Sequence, residues 1–105
     1  MSDTTKNAAI VSEITPEDIA AYLRLDVTDV EETKMLRTFL SVAKSYIKSY
    51  TGIKEEDFDN YPDFVIVVYL MCQDFYDNRS LVANYKDEVN PTVKTILDMH
   101  TVNNL

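Results

Sequence analysis

The segment from Pro62 to Arg79, PDFVIVVYLMCQDFYDNR, limits the fold more than any other part of the chain. Residues Phe64 to Cys72 are nine consecutive apolar positions, and Phe75 and Tyr76 carry the apolar character past Gln73 and Asp74. A strand covering all of it would be unusually long, since strands mostly run about 5–6 residues. Pro62 suits a first helical position, Asp63 suits the positive end of a helix dipole, and no Gly or Pro interrupts the run from Phe64 to Arg79. The β-branched residues Val65, Ile66, Val67 and Val68 pull toward strand. The balance predicts a helix. Its stripe is Val65, Val68, Tyr69, Cys72, Phe75 and Tyr76, while Phe64, Val67 and Met71 lie off it. A helix apolar all round its first half has neighbours on more than one side, so this is the expected central helix.

The flanking segments supply those neighbours. Ile14-Thr15-Pro16-Glu17-Asp18 is a helix start, with Thr15 as cap, Pro16 in the first position and Asp18 where a capping-box acid stands. That helix is short, turns Ile19, Ala20 and Leu23 inward, and ends near Arg24-Leu25-Asp26. A second helix begins after Thr28-Asp29, and its apolar stripe is Leu36, Phe39, Leu40, Ala43, Tyr46, Ile47 and Tyr50. Gly52 is its natural left-handed stop. Residues 53–61 read as an acidic connector with Phe58 and Tyr61 tucked against the core. After Arg79, residues 80–89 show no clean period, yet hold Leu81, Val82, Tyr85 and Val89. Loops usually run over the surface, so these four either pack back on their own core or reach another chain. Asn90 then caps a last helix opening at Pro91, with Val93, Ile96 and Leu97 inward and His100 near its end.

The whole reads as an all-α fold, a small bundle of about four helices around the central apolar helix. A chain of 105 residues is one domain and can bury about 65% of its unfolded surface. The expected core is Leu36, Phe39, Leu40, Tyr46, Val65, Val68, Tyr69, Phe75 and Tyr76. The expected layout is a flexible N-terminal tail over 1–12, a helical domain over 13–100 and a tail over 101–105. No run approaches the ~20 apolar residues of a bilayer span, and the N-terminus lacks the layout of a signal peptide, so an intracellular origin is expected. The lone Cys72 sits in the apolar run as a structural thiol.

Net charge is −8, from 18 acidic and 10 basic residues. That disfavours attachment to nucleic acid or anionic lipid, which needs clustered Lys and Arg. The charge is also segregated. Glu13 to Glu32 holds seven acids against Arg24, and Glu55 to Asp77 holds seven acids and no base. Between them, Lys34 to Lys48 holds four bases and no acid. Dipole complementation and solvated faces account for such a pattern, and so does head-to-tail contact between copies.

No catalytic constellation can be assembled. There is one His, with no Cys close to it for a metal pair, and one Gly, too few for a phosphate-cradling loop. The G-x-S-x-G and H-E-x-x-H patterns are absent, and the acids at Glu55, Glu56, Asp57 and Asp59 lack the glycine bend of a calcium loop. His100 reads as an exposed residue or dipole partner, and Asp74, Asp77 and Arg79 as ion-pairing or capping groups. No enzyme activity, cofactor or metal is expected. Seven tyrosines and no tryptophan lean toward amphipathic contacts.

The order of four segments resembles the head–tail connector family of tailed bacteriophages and prophages. ITPEDIAAYLRLD (14–26) matches a short helix opening on Ile14-Thr15 and closing on Leu23-Arg24, and AKSYIKSYTG (43–52) matches a long helix ending at Tyr50-x-Gly52. VYLMCQDFYDNRS (68–80) matches a helix ending Phe75-Tyr76-x-Asn78-Arg79, with Phe75 where tryptophan is common. NPTVKTIL (90–97) matches the family's next helix, which starts on proline. The resemblance implies a non-catalytic virion protein, made in the bacterial host cytoplasm and located at the head–tail junction. Such proteins form a ring, commonly of about twelve copies, between the portal protein and a tail or stopper protein. They extend the DNA exit channel, through which DNA passes without specific binding, and no membrane is involved. The expected contact residues are Leu81, Val82, Tyr85 and Val89 of the loop, with Val67 and Met71 on the central helix. The rival expectation is a small acidic helical adaptor that binds a host or phage protein.

Overall fold

The computed structural model describes residues 10–26 and 29–101, and among them every regular element is helical. Helix α1 spans Pro16–Leu23, α2 Val30–Thr51, α3 Phe64–Asp77, α4 Leu81–Asn84 and α5 Pro91–His100. Short 3₁₀ turns lie at Val11–Glu13, Glu55–Asn60 and Tyr85–Asp87. The fold is all-α, and α3 is its hub, touching α1, α2, α4, α5 and the N-terminal turn.

Local chemistry sets most of the boundaries. The Thr15 side chain accepts from Asp18 N at 3.1 Å and Asp18 Oδ2 accepts from Thr15 N at 3.0 Å, a reciprocal capping box. Asp29 caps α2 through Glu31 N at 2.9 Å, and Asn90 caps α5 through Thr92 N at 2.8 Å. Gly52 closes α2 in the left-handed region at φ 78°, where the absence of a Cβ removes the steric cost. Arg24 closes α1 in the same region at φ 62° without that freedom. What holds it there is the cap itself, since Arg24 N reaches Ala21 O and Leu25 N reaches Ala20 O at 2.9 Å.

Helix α3 is shorter than the expected 62–79. Pro62 and Asp63 form a turn ahead of it, and Asn78 ends it. Asp63 makes no side-chain cap, and its Oδ2 lies 2.8 Å from His100 Nε2, at the far end of α5. Along α3, Phe64, Val65, Val67, Val68, Met71, Cys72 and Phe75 are buried, as expected for a helix with neighbours on several sides. From α2 the core takes Leu36, Phe39, Leu40, Ala43 and Ile47. Tyr46, Tyr69 and Tyr76, expected in the core, are half-buried at its edge, which leaves their hydroxyls a polar side. Packing begins before the expected boundary at residue 13. Val11 is buried, and Ser12 N donates to Asp59 Oδ1 at 3.0 Å. The remaining residues of the two expected tails, 1–9 and 102–105, lie outside the described residues, as does Thr28 at the entry to α2.

A candidate interaction surface

Of the two fates open to residues 80–89, packing on the chain's own core prevails. The segment is helical in two short turns, α4 and Tyr85–Asp87. Tyr85 is the anchor. Its ring stands edge-on to Tyr46 and Phe75, at centroid distances of 5.2 and 5.4 Å. Its hydroxyl donates to Asp74 Oδ2 at 2.8 Å and accepts from Asn90 N at 3.3 Å, so a buried polar atom keeps both partners. Burial first, and the Asp74 hydrogen bond second, push the phenol above its ordinary pKa. Leu81, Val82 and Val89 are half-buried against the core.

Three of the expected contact residues are therefore interior. Tyr85 is 4% exposed, and Val67 and Met71 are fully buried. For the helical pair the reason is the hub position of α3, which buries off-stripe residues as well as the stripe. The surface that α3 does present runs through Ile66, Leu70, Gln73 and Asp77, spaced at fours and threes on one face. Ile66 is 51% exposed and Leu70 half-buried. Tyr69 beside them stacks on Tyr22 of α1 with centroids 4.9 Å apart, and Tyr22 is itself 42% exposed. The sequence held a signal for this face, because Gln73 and Asp77 are polar positions in line with Ile66 and Leu70 on later turns of the same helix. Met99 is a further exposed apolar residue, on α5 next to His100.

His100, expected as an exposed or dipole-paired residue, is half-buried in a contact between distant segments. Besides Asp63, its ring meets Tyr61 at 5.0 Å and Phe64 at 5.5 Å, both edge-on. This ties the C-terminal end of α5 to the entry of α3, so Met99 stands at the same end of the molecule as the start of α3. Arg79, expected as an ion-pairing or capping group, takes the capping role, donating from Nε to Tyr76 O at 3.3 Å in the last turn of α3, and its guanidinium lies over the Phe39 and Tyr76 rings. Asp74 is engaged by Tyr85.

The polar clusters are structural in form. Tyr50 donates to Asp98 Oδ1, and Lys94 Nζ lies 2.8 Å from Asp98 Oδ2. Lys94 first, then Tyr50, hold the Asp98 carboxyl below its usual range. Cys72 is buried, and desolvation pushes its thiol up to about 12, which leaves no thiolate for chemistry near neutral pH. Among the described residues no group of three His, Cys, Asp or Glu could hold a metal ion, and no helix is long and apolar enough to cross a membrane. No family model, no curated protein and no solved structure matches the chain.

Proposed function

We propose that the chain is a structural assembly protein of the head–tail connector type, without catalytic activity of its own. In this role copies form a ring between a portal protein and a tail or stopper protein, and the ring extends the channel through which DNA leaves the head. The observation that carries the reading is the open apolar face of α3. Among the described residues the most apolar helix is enclosed by its neighbours except on the face through Ile66, Leu70, Gln73 and Asp77, where Tyr22 and Tyr69 continue the apolar surface beside Ile66. Apolar side chains left open on such a face suit a contact with another polypeptide. The net charge of −8 fits a conduit, because acidic walls repel phosphates and let DNA slide. The four matching segments, Ile14–Asp26, Ala43–Gly52, Val68–Ser80 and Asn90–Leu97, support the same reading.

Native mass spectrometry over a concentration series, with negative-stain imaging of large species, tests it. Closed rings of about a dozen copies are expected, alone or when portal protein is added as template. Ile66→Ser is expected to weaken that assembly and leave helicity unchanged, since the side chain is half in solvent already. A chain that stays monomeric and is not recruited by portal protein would overturn the proposal and favour the acidic adaptor.

A further inference from the structure

Helix α2 carries an arrangement of charge that its own fold uses only in part. Lys34, Arg37, Ser41, Lys44 and Lys48 are spaced three, four, three and four residues apart, which puts them on one face of the helix. Lys34, Arg37, Ser41 and Lys48 are exposed and Lys44 is half-buried. Lys44 reaches Glu55 at 3.8 Å, the outer limit of an ion pair, while Lys34, Arg37 and Lys48 form no ion pair among the described residues. Alongside the stripe runs a groove of about 220 Å³ lined by Arg37, Leu40, Ser41, Lys44 and Glu55.

The N-terminal end of the same helix has the opposite character. Asp26, Asp29 and Glu31 are exposed there, and Arg24 is the one base in that corner. Between the acids stands Val30, 69% exposed and the most exposed large apolar side chain of the described residues. Lys34 stands one turn from Val30, so the stripe begins beside the acids, but Ser41 in the middle of the groove is eleven residues, or about 16 Å, further along the helix. Asp29, Val30 and Glu31, at the start of the rod, cannot fold back onto that groove within one molecule. The groove and the start of the rod can meet only between molecules, and the contact they make is heterologous.

We infer that the Lys34–Lys48 stripe of α2 receives the acidic α1–α2 corner of a second copy, with Val30 seated in the groove against Leu40. This deepens the assembly reading proposed for the chain and rests on it. The occupant is another copy rather than nucleic acid, because the chain as a whole repels phosphate and carries the matching acidic knob itself. Because each copy offers one patch and accepts the other, the contact propagates in one direction, closing into a ring or running on as a filament.

The test uses the full-length chain and two charge-reversed variants. One is Lys34→Glu/Arg37→Glu/Lys48→Glu, and the other Asp26→Lys/Glu31→Lys, which spares the capping Asp29. Circular dichroism checks that each keeps its helix, and sedimentation velocity reads association in low and high salt. Wild-type association is expected to weaken about tenfold or more when salt is raised, and each variant alone to lose it to a similar degree. Mixing the two variants is expected to restore association, because reversed stripe and reversed corner match again. Association that ignores salt and both variants, or a mixture that does not recover, overturns the inference. If such association is nevertheless lost in Ile66→Ser, the assembly reading stands without the stripe. A wild type that stays monomeric in low salt and with portal protein overturns both.

Discussion

Two connections of similar length hold α3 at its two ends, and their burial runs opposite to their composition. Residues 53–61, leading in, contain Glu55, Glu56, Asp57 and Asp59, yet they bury Ile53 and Phe58 almost completely. Residues 80–89, leading out, contain four sizeable apolar side chains, yet they bury only Tyr85 to that degree. Average hydropathy of a connection therefore says little about how firmly it is held. The position of one anchor decides. The two anchors also differ in kind, since Phe58 holds by packing alone, edge-on to Phe64 at 5.6 Å, and Tyr85 by packing plus two hydrogen bonds.

The comparison breaks most completely if α3, on which both anchors pack, is itself disrupted. Val68 is fully buried in the middle of α3, so Val68→Asp places a carboxylate where there is neither water nor a partner. A penalty of several kcal/mol takes most of the stability of a small domain, and the variant is expected to show no cooperative unfolding transition. A helical, cooperatively unfolding mutant would mean that Val68 does not face the core.

Phe58→Ala attacks one connection only. Deleting a buried phenyl ring is expected to cost about 3–5 kcal/mol, read from urea unfolding. Native-state hydrogen exchange sharpens the point. Protection is expected to fall first over 53–61, and over the Ser12–Asp59 contact that the turn supports, while Tyr85 keeps 81–89 in place. A cost below about 1 kcal/mol would leave the acidic connector unanchored and undo the contrast.

How far the sequence alone revealed these features depends on their range. The capping box at Thr15 and Asp18, the left-handed Gly52 and the Asn90-Pro91 start needed only residues within a turn of each other, and the structure has each of them. The all-α class followed from long periodic segments and a single glycine. What escaped were contacts between distant segments. His100 and Asp63 are 37 residues apart, and nothing local to either announces their meeting. Tyr85 was in plain view but not its partner Asp74 eleven residues back, so an anchor read as a contact residue. Val67 and Met71 read as contact residues because an all-round apolar helix shows that neighbours lie on several sides, not whether those neighbours belong to the same chain. Arg24 gave no sign of its positive φ, because the usual marker, glycine, is absent.

The smallest change separates the two anchors by chemistry rather than volume. Tyr85→Phe keeps the ring against Tyr46 and Phe75 and removes only the hydroxyl, which makes this site as apolar as the one at Phe58. At neutral pH the loss of a hydrogen bond to a carboxylate is expected to cost about 1–2 kcal/mol, softened because Asp74 is not fully buried and water can replace the phenol. Above pH 10 that advantage erodes. Burial raises the Tyr85 phenol in the folded state, so the unfolded chain loses that proton first. The stability that the neutral phenol contributes is complete below the unfolded pKa and is lost as pH rises toward the folded one, by up to about 1.4 kcal/mol per pH unit. Cys72, pushed up to about 12, and Tyr46, raised by burial, add to the same alkaline decline in the wild type. Tyr85→Phe is then expected to show a shallower decline of unfolding free energy from pH 10 upward, whereas Phe58→Ala keeps the wild-type slope. Equal slopes in the wild type and Tyr85→Phe would mean that the phenol titrates freely in the folded chain, and that Tyr85 anchors by packing alone, as Phe58 does.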